Sequence, residues 1–208
     1  MTIEEYIHSH IDPESDVLAK INRDTHLRTY NPRMMSGHAQ GRLLSMLSKM
    51  IQPKRILELG TFTGYSALCL AEGLTEDGQL HTVEANDEME ELILHNFSLS
   101  PLGSKITLHI QDALQFIAQT TDTYDLIFID ADKREYKAYY EALIERLNPN
   151  GYMIADNTLW DGKVLTNPQA NDLQTISIKE FNDYVAQDPR IEKIILPLRD
   201  GMTIIRKK

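Results

Sequence analysis

Acidic residues recur at the ends of apolar runs in the middle of the chain. Between Leu57 and Asn157, each of five strand-like runs arrives at a carboxylate: Glu58, Glu84, Asp112, Asp130 and Asp156. The carboxyl ends of parallel strands meet at one edge of a sheet, and such folds bind their ligands there. Because like charges held close in a partly desolvated crevice repel one another, we expect a cationic ligand at that edge: a sulfonium, an amine or a divalent metal.

A glycine turn follows the first of these runs, in the segment LELGTFTGYS. Gly60 and Gly64 do not make the three-glycine fingerprint that seats a dinucleotide pyrophosphate on a helix N-terminus. Glu58 stands just ahead of the turn and is expected to point a negative charge at the ligand, which suits an ammonium group. Glu84, about one strand-helix-strand unit later, is suitably placed for ribose hydroxyls.

Length and composition narrow the class of protein. The 208 residues predict a single domain over 1–208 with a substantial core. The formal net charge is −10 and no cluster of lysine and arginine stands out, so nucleic acid is disfavoured as a partner. A single cysteine, Cys69, excludes an internal disulfide and favours the reducing cytoplasm. The N-terminal residues do not have the pattern of a signal peptide, and no run approaches a membrane-spanning length, so no membrane association is expected.

From Pro53 onward, short β-branched runs alternate with helical patterns. This alternation predicts right-handed crossovers and an α/β fold with a doubly wound parallel sheet. Helices are expected from about Tyr65 and over about 87–98, 113–119, 135–147 and 175–186, and the run GYMIAD is expected to be a strand.

The two ends of the chain depart from this alternation. The last runs, IEKIILPL and GMTIIRK, are separated only by Arg199 and Asp200, so they must pair antiparallel. Residues 1–50 are expected to form extra helices that pack on the core. One of these helices is predicted to be capped by Asp12, with Pro13 as its first residue.

Four segments resemble one known enzyme family: LELGTFTGYSALCLA, YDLIFIDADKREYKAYYE, LNPNGYMIADNTLWDGKV and RDGMTIIRK. They are similar to the metal-dependent, S-adenosylmethionine-using O-methyltransferases of the caffeoyl-coenzyme A and catechol type, over roughly Pro32 to the C-terminus. The resemblance implies a Rossmann-like class I methyltransferase fold, with a seven-stranded, mostly parallel sheet that has one antiparallel strand and helices on both faces. It also implies a homodimer.

The resemblance also implies roles for individual residues. Cofactor contacts are implied for Met34, Ser36, Glu58, Gly60, Ser66, Glu84, Asp112, Ala113, Asp130 and Asp132, and metal ligation for Asp130, Asp156 and Asn157. Glu58 and Gly60 would contact the methionine part of the cofactor, Glu84 the ribose, and the turn at 112–113 the adenine. One departure is Gln40, which stands where the family commonly has an acidic residue.

The chemistry of these side chains agrees with a hard divalent cation. Two carboxylates and an amide oxygen suit Mg²⁺ first, with Ca²⁺ and Mn²⁺ as alternatives. Such a metal could hold two adjacent oxygens of a hydroxylated aromatic substrate and favour ionisation of the attacking hydroxyl. Lys133, three residues after Asp130, is the candidate base or the cation that stabilises the oxyanion, so Lys133 and Asp130 are the expected catalytic residues.

Other interpretations of the same residues remain open. Asp156 and Asn157 could cap a turn, Glu84 could be a solvated strand end, and Lys133 could belong to an exposed run of charges. The whole chain could instead methylate a hydroxylated uridine in tRNA, or bind S-adenosylmethionine without catalysis. A coenzyme A thioester is disfavoured as the substrate, because no basic cluster is present to bind its phosphates.

Overall fold

The computed structural model describes residues 1–208, apart from the side chain at position 4. The helices are α1 (Ile3–His8), α2 (Asp16–Arg28), α3 (Gly37–Ile51), α4 (Tyr65–Ala71), α5 (Glu90–Ser98), α6 (Ala113–Gln119), α7 (Tyr136–Leu143) and α8 (Leu173–Gln187). The strands are β1 (Arg55–Leu59), β2 (Gln79–Glu84), β3 (Ile106–Ile110), β4 (Tyr124–Ile129), β5 (Leu147–Asp156), β6 (Ile191–Leu196) and β7 (Met202–Lys207). Short 3-10 turns span Pro32–Met34, Asp87–Met89, Pro101–Lys105, Lys133–Glu135 and Trp160–Leu165.

All seven strands form one sheet in the order β3-β2-β1-β4-β5-β7-β6. Strands β1 to β5 pair in parallel, and β7 runs antiparallel to both β5 and β6. The expected mostly parallel, seven-stranded sheet with one antiparallel strand is therefore confirmed. The order reverses between β1 and β4, and such a reversal opens a crevice beyond the carboxyl ends of the strands.

Helices cover both faces of the sheet because alternate residues of each buried strand point to opposite sides. Leu57 and Leu59 of β1 pack in a cluster with α6, α7 and α8, whereas Ile56 joins a second cluster with α3, α4 and α5. Leu18 and Ile21 of α2 are buried in this second cluster, so α2 packs against the α4 side of the sheet. None of the helices described here combines the length and apolarity needed to cross a membrane.

The predicted start of a helix at Asp12 and Pro13 is wrong. Helix α2 begins at Asp16, and the Ser15 side chain caps it by accepting a hydrogen bond from the backbone N–H of Leu18. Glu14 precedes this cap, and its carboxylate accepts a hydrogen bond from the Tyr65 hydroxyl at 2.5 Å.

The boundary between α7 and β5 also differs from the prediction. Helix α7 ends at Leu143, and β5 begins at Leu147 rather than Gly151 because Leu147 pairs with Tyr124 of β4. A register shift between Tyr124 and Leu126 allows this early pairing, so residues preceding the regular strand still belong to the sheet.

Candidate active site

A cavity of about 1510 Å³ opens at the carboxyl edge of the sheet, where β1, β2, β4 and β5 end. Its lining includes Met34, Ser36, Gly60, Ser66, Glu84, Asp112, Ala113, Asp130, Asp132, Lys133, Asp156 and Asn157. The structure thus gathers the predicted site residues around one crevice. Glu58 is the exception, because its side chain does not reach the cavity wall.

The glycine turn after β1 lies against the end of β4. Gly60 has a φ of +92°, and a Cβ at this position would lie 2.1 Å from the backbone oxygen of Asp130. Only glycine allows this conformation and this close approach. The amide of Asp130 donates in turn to Leu59 O at 2.8 Å, so the turn and the acid at the end of β4 are fixed relative to each other.

Glu84 holds the same turn from the side of β2. Its Oε2 accepts hydrogen bonds from the backbone N–H groups of Phe62, at 2.8 Å, and Thr61, at 3.2 Å. Its Oε1 accepts from the N–H of Asn86 at 2.9 Å. Because Glu84 also lines the cavity, one carboxylate both orders the turn and presents oxygen lone pairs to a ligand.

Glu58 lies behind the turn, fully buried on the α4 side of the sheet. Burial is the main cause that raises the pKa of this carboxyl to about 8, and the neighbouring hydroxyls of Ser66 and Thr82 act in the opposite direction. The Thr82 hydroxyl donates to Oε2 at 2.6 Å, while Oε1 is buried with no hydrogen-bond partner. This differs from the expectation of a negative charge facing the crevice, because the carboxyl is enclosed and its raised pKa disfavours the charged form.

Asp112 and Asp132 each cap the first turn of the segment that follows a strand. Asp112 Oδ1 accepts from the N–H of Gln115 at 2.9 Å at the start of α6. Asp132 accepts from the Arg134 guanidinium, and this contact is the main cause that lowers the pKa of the Asp132 carboxyl. Both acids line the cavity. Asp112 uses one carboxylate oxygen for its local contact, and Asp132 uses both.

Two carboxylates and an amide follow the neighbouring strands β4 and β5. Asp156 is buried, and burial together with the charge of Asp130 raises the pKa of its carboxyl to about 6. Asn157 has a φ of +57°, a left-handed conformation that asparagine adopts more readily than most residues. Across the side chains that the structure describes, no three His, Cys, Asp or Glu groups form a cluster able to hold a metal, so a site here would depend on the Asn157 amide.

Lys133 is buried beside these acids. Its Nζ donates to Asp130 Oδ1 at 2.6 Å and to the hydroxyl oxygen of Tyr136 at 2.7 Å. The fully buried Tyr136 hydroxyl lies 3.1 Å from Asp156 O and 3.2 Å from Ile129 O, within donating distance of both. Lys133 is therefore fixed within the cavity and does not belong to a solvated run of charges, although Arg134 next to it is exposed.

Comparisons with known proteins agree with this arrangement. A family model described as O-methyltransferase matches residues 7–208. Caffeoyl-CoA O-methyltransferase 2 of Petunia hybrida is 36% identical over 185 residues, which cover 84% of this chain and 76% of the plant protein. The chain belongs to this O-methyltransferase family. Catechol O-methyltransferase domain-containing protein 1 of Mus musculus is also 36% identical, over 81% of this chain and 66% of the mouse protein.

Solved structures of other O-methyltransferases share the fold along nearly the whole chain. An O-methyltransferase from Bacillus cereus in complex with SAH has a TM-score of 0.92 and 26% identity, covering 99% of this chain and 97% of that one. TomG from Streptomyces achromogenes, in complex with SAM, has a TM-score of 0.89 and 26% identity, covering 99% and 96%. The expected class I O-methyltransferase fold and enzyme class are confirmed, and these two neighbours support the expected cofactor.

Sequence reasoning missed two residues of this O-methyltransferase, one that holds the wall of the crevice and one that lines it. Tyr136 could have been noticed from its spacing, three residues after Lys133 at the start of α7. Trp160, which the sequence suggests as a loop aromatic near the substrate mouth, lines the cavity with a buried indole Nε1 that has no hydrogen-bond partner. Arg199 reaches the cavity from the connection between β6 and β7, and no local pattern indicates this contact.

Proposed function

We propose that this O-methyltransferase transfers the methyl group of S-adenosylmethionine to one of two adjacent hydroxyls on a small aromatic molecule, with a divalent metal bound beside the acceptor. The observation that carries the proposal is the convergence of Asp130, Asp156, Asn157 and Lys133 on the same crevice as Glu84 and the Gly60 turn. The names of the plant and mouse relatives support the substrate class, because caffeoyl and catechol groups both have vicinal aromatic hydroxyls.

The shape of the crevice supports the cofactor assignment. Glu84 presents its carboxylate next to the turn at Gly60, and the turn at Asp112 and Ala113 lies on the same wall. Carboxylate oxygens suit ribose hydroxyl donors, and an acidic lining suits a sulfonium. Structural neighbours crystallised with SAM and with SAH support the same ligand here.

The residues at the ends of β4 and β5 fit a hard divalent cation. The charge of Asp130 contributes to the raised pKa of Asp156, so a cation held by both carboxylates would remove a repulsion present in this structure. Asp130, Asp156 and Asn157 would hold the ion, for which Mg²⁺ is the first choice because all three offer oxygen. When bound, such an ion acts as a Lewis acid that favours the ionised form of a coordinated hydroxyl.

The chain itself would position the acceptor and handle its proton. Lys133 Nζ, placed by Asp130 and Tyr136, is suited to accept the proton of the attacking hydroxyl as a free amine, or to stabilise the developing oxyanion as an ammonium. The hydroxyl oxygen then attacks the methyl carbon in line with the departing sulfur, where the fixed walls of the crevice contribute through orientation.

Glu84 provides a direct test of the cofactor site. Replacing Glu84 with Ala should weaken S-adenosylmethionine binding by about 1.5 to 3 kcal/mol, roughly ten- to 150-fold in Kd, because charge-assisted hydrogen bonds are lost. Isothermal titration calorimetry measures this change. Glu76→Ala is the matched control, since it removes the same charge from an exposed site that does not line the cavity. A Kd equal to that of the parent would mean that the cofactor lies elsewhere.

We also propose that the enzyme forms a homodimer through its N-terminal segment. Large apolar side chains there are exposed, with Leu27, Met46 and Met50 at 71%, 61% and 78%. Met46 and Met50 stand four residues apart on α3 and so adjoin each other on one face of the helix, and an exposed apolar patch suits an association surface. Sedimentation velocity should give a dimer for the parent and a monomer for a Met46→Lys, Met50→Lys variant. Leu165→Lys, at a side chain exposed to 90%, is the control that should stay dimeric. A monomeric parent would contradict the proposal.

A further inference from the structure

Gln40 of α3 bonds to one of the candidate metal ligands. Its side chain is only 1% exposed, and its Nε2 donates to Asp156 Oδ2 at 2.6 Å. The other oxygen, Oδ1, accepts from the backbone N–H of Asn157 at 2.8 Å. Each carboxylate oxygen therefore has one fixed donor and keeps lone pairs for a further ligand.

Arg199 holds Gln40 from the other side. Its Nη1 lies 3.3 Å from Gln40 Oε1 and also donates to Ser36 O and, at 2.9 Å, to Met35 O. Its Nη2 donates to Arg33 O at 3.1 Å. Among the described side chains no carboxylate forms an ion pair with Arg199, so the guanidinium is committed to neutral oxygens of the segment before α3 and to Gln40.

These partners dictate which way the amide of Gln40 points. A guanidinium has only donors, and an ionised carboxylate has only acceptors. The amide satisfies both when its oxygen faces Arg199 and its NH₂ group faces Asp156. A carboxylate at position 40 would suit Arg199 but repel Asp156, and an apolar side chain would serve neither. Glutamine is thus chemically matched to this position, where the resemblance predicts an acid in relatives.

The connection that carries Arg199 also holds the loop after Asn157. Asp200 O accepts from the N–H of Leu159 at 2.8 Å, and Gly201 O accepts from the N–H of Thr158 at 3.0 Å. One short connection between β6 and β7 therefore fixes both the backbone that follows β5 and, through Gln40, the carboxylate at the end of β5.

We propose that Gln40, oriented by Arg199, is a positioning residue that fixes the Asp156 carboxylate for metal binding. The inference rests on the proposed metal site, and it assigns a role to two residues that would not touch the ion. Hydrogen-bond partners of metal ligands typically contribute tenfold to 100-fold to affinity, because the ligand otherwise has to be ordered when the metal binds.

The test is a titration of the whole chain with Mn²⁺, in which the electron paramagnetic resonance signal of the free ion measures how much Mn²⁺ is bound. Gln40→Met keeps the approximate volume but removes both hydrogen bonds, and it should raise the Kd for Mn²⁺ by about tenfold to 100-fold. Its affinity for S-adenosylmethionine, measured by calorimetry, should stay within twofold, because Arg199 still donates to the carbonyls of Arg33, Met35 and Ser36. Gln79→Met, an exposed substitution at the opposite end of the strands, is the matched control and should bind both ligands as the parent does.

Arg199 gives a second variant that does not depend on filling a buried space. Because its side chain is exposed, Arg199→Met should fold, and it should weaken Mn²⁺ binding through the loss of the amide's orientation. It should also weaken S-adenosylmethionine binding, since Met35 and Ser36 lose their donor. Arg206→Met removes a guanidinium from the far end of β7, outside the cavity, and should change neither affinity.

The two variants should be coupled. If Gln40 acts only when Arg199 orients it, the effects of Gln40→Met and Arg199→Met on the Mn²⁺ affinity should be clearly less than additive in the double variant. If the parent binds Mn²⁺ and Gln40→Met binds it within twofold as tightly, the positioning role is overturned while the metal site stands. Additive effects would overturn the coupling through Arg199. A parent that does not bind Mn²⁺ would overturn both this inference and the proposed metal site.

Discussion

Asp156→Ala should abolish turnover of a catechol while leaving S-adenosylmethionine binding largely intact. The substitution removes one of the two carboxylates proposed to hold the metal. Asp156 lies at the end of β5, and two strands, β1 and β4, separate it from Glu84 at the end of β2. The parent enzyme treated with chelator should behave in the same way. Added Mg²⁺ should restore activity to the parent and fail to restore it to Asp156→Ala.

Methyl transfer from labelled cofactor measures the turnover, and calorimetry measures the cofactor affinity. Asp183→Ala is the matched control, because it removes the same charge from an exposed position of α8 that does not line the cavity. Thermal unfolding of both variants separates lost chemistry from lost structure. Full activity of a metal-free parent would contradict the proposed mechanism, because the oxygen ligands at the ends of β4 and β5 would then have no role in activating the acceptor.

The fold could be predicted from the sequence where the spacing of apolar residues and the length of the connections between elements allow few arrangements. Nearly continuous apolar strands such as β1 and β4 are buried on both faces of a sheet. Helices that alternate with such strands require right-handed crossovers. The short connection at Arg199 and Asp200 required an antiparallel pair. These are local signals, so they identified the element order and the sheet edge on which the acids converge.

Local signals could not give the boundaries that depend on contacts across the fold. The start of β5, for example, depends on the pairing of Leu147 with Tyr124 of β4. A helical spacing of apolar residues contains no information about such a distant partner.

The candidate site was predicted in outline for a similar reason. The strand ends identified the acids, but the state of each acid depends on its surroundings. Glu58 is two residues before the same turn that Glu84 holds, yet it is enclosed and burial raises the pKa of its carboxyl, while Glu84 faces the cavity. The contact between Gln40 and Arg199 spans 159 positions of the chain, and only the assembled sheet brings the two together.

Lys133→Met should reduce kcat by roughly 100- to 10,000-fold, the range typical of general acid-base assistance. The loss should appear in kcat more than in KM, because the contribution of Lys133 grows as the hydroxyl loses its proton and attacks. Methionine fits the nearly buried position, where the lysine is 8% exposed. Metal affinity should not fall, since removing a positive charge 2.6 Å from Asp130 favours a cation there.

A series of catechols of increasing acidity separates activation by Lys133 from a structural role. Nitro-substituted catechols ionise more readily, so they need less help and should lose less activity in Lys133→Met than catechol itself. Lys137→Met, a lysine of α7 that does not line the cavity, is the matched control and should leave the whole series unchanged. Single-turnover measurements give the rate constant of methyl transfer without a contribution from product release. Equal rate constants for Lys133→Met and the parent across the series would mean that the lysine only holds Asp130 and Tyr136 in place, and that the metal alone activates the hydroxyl.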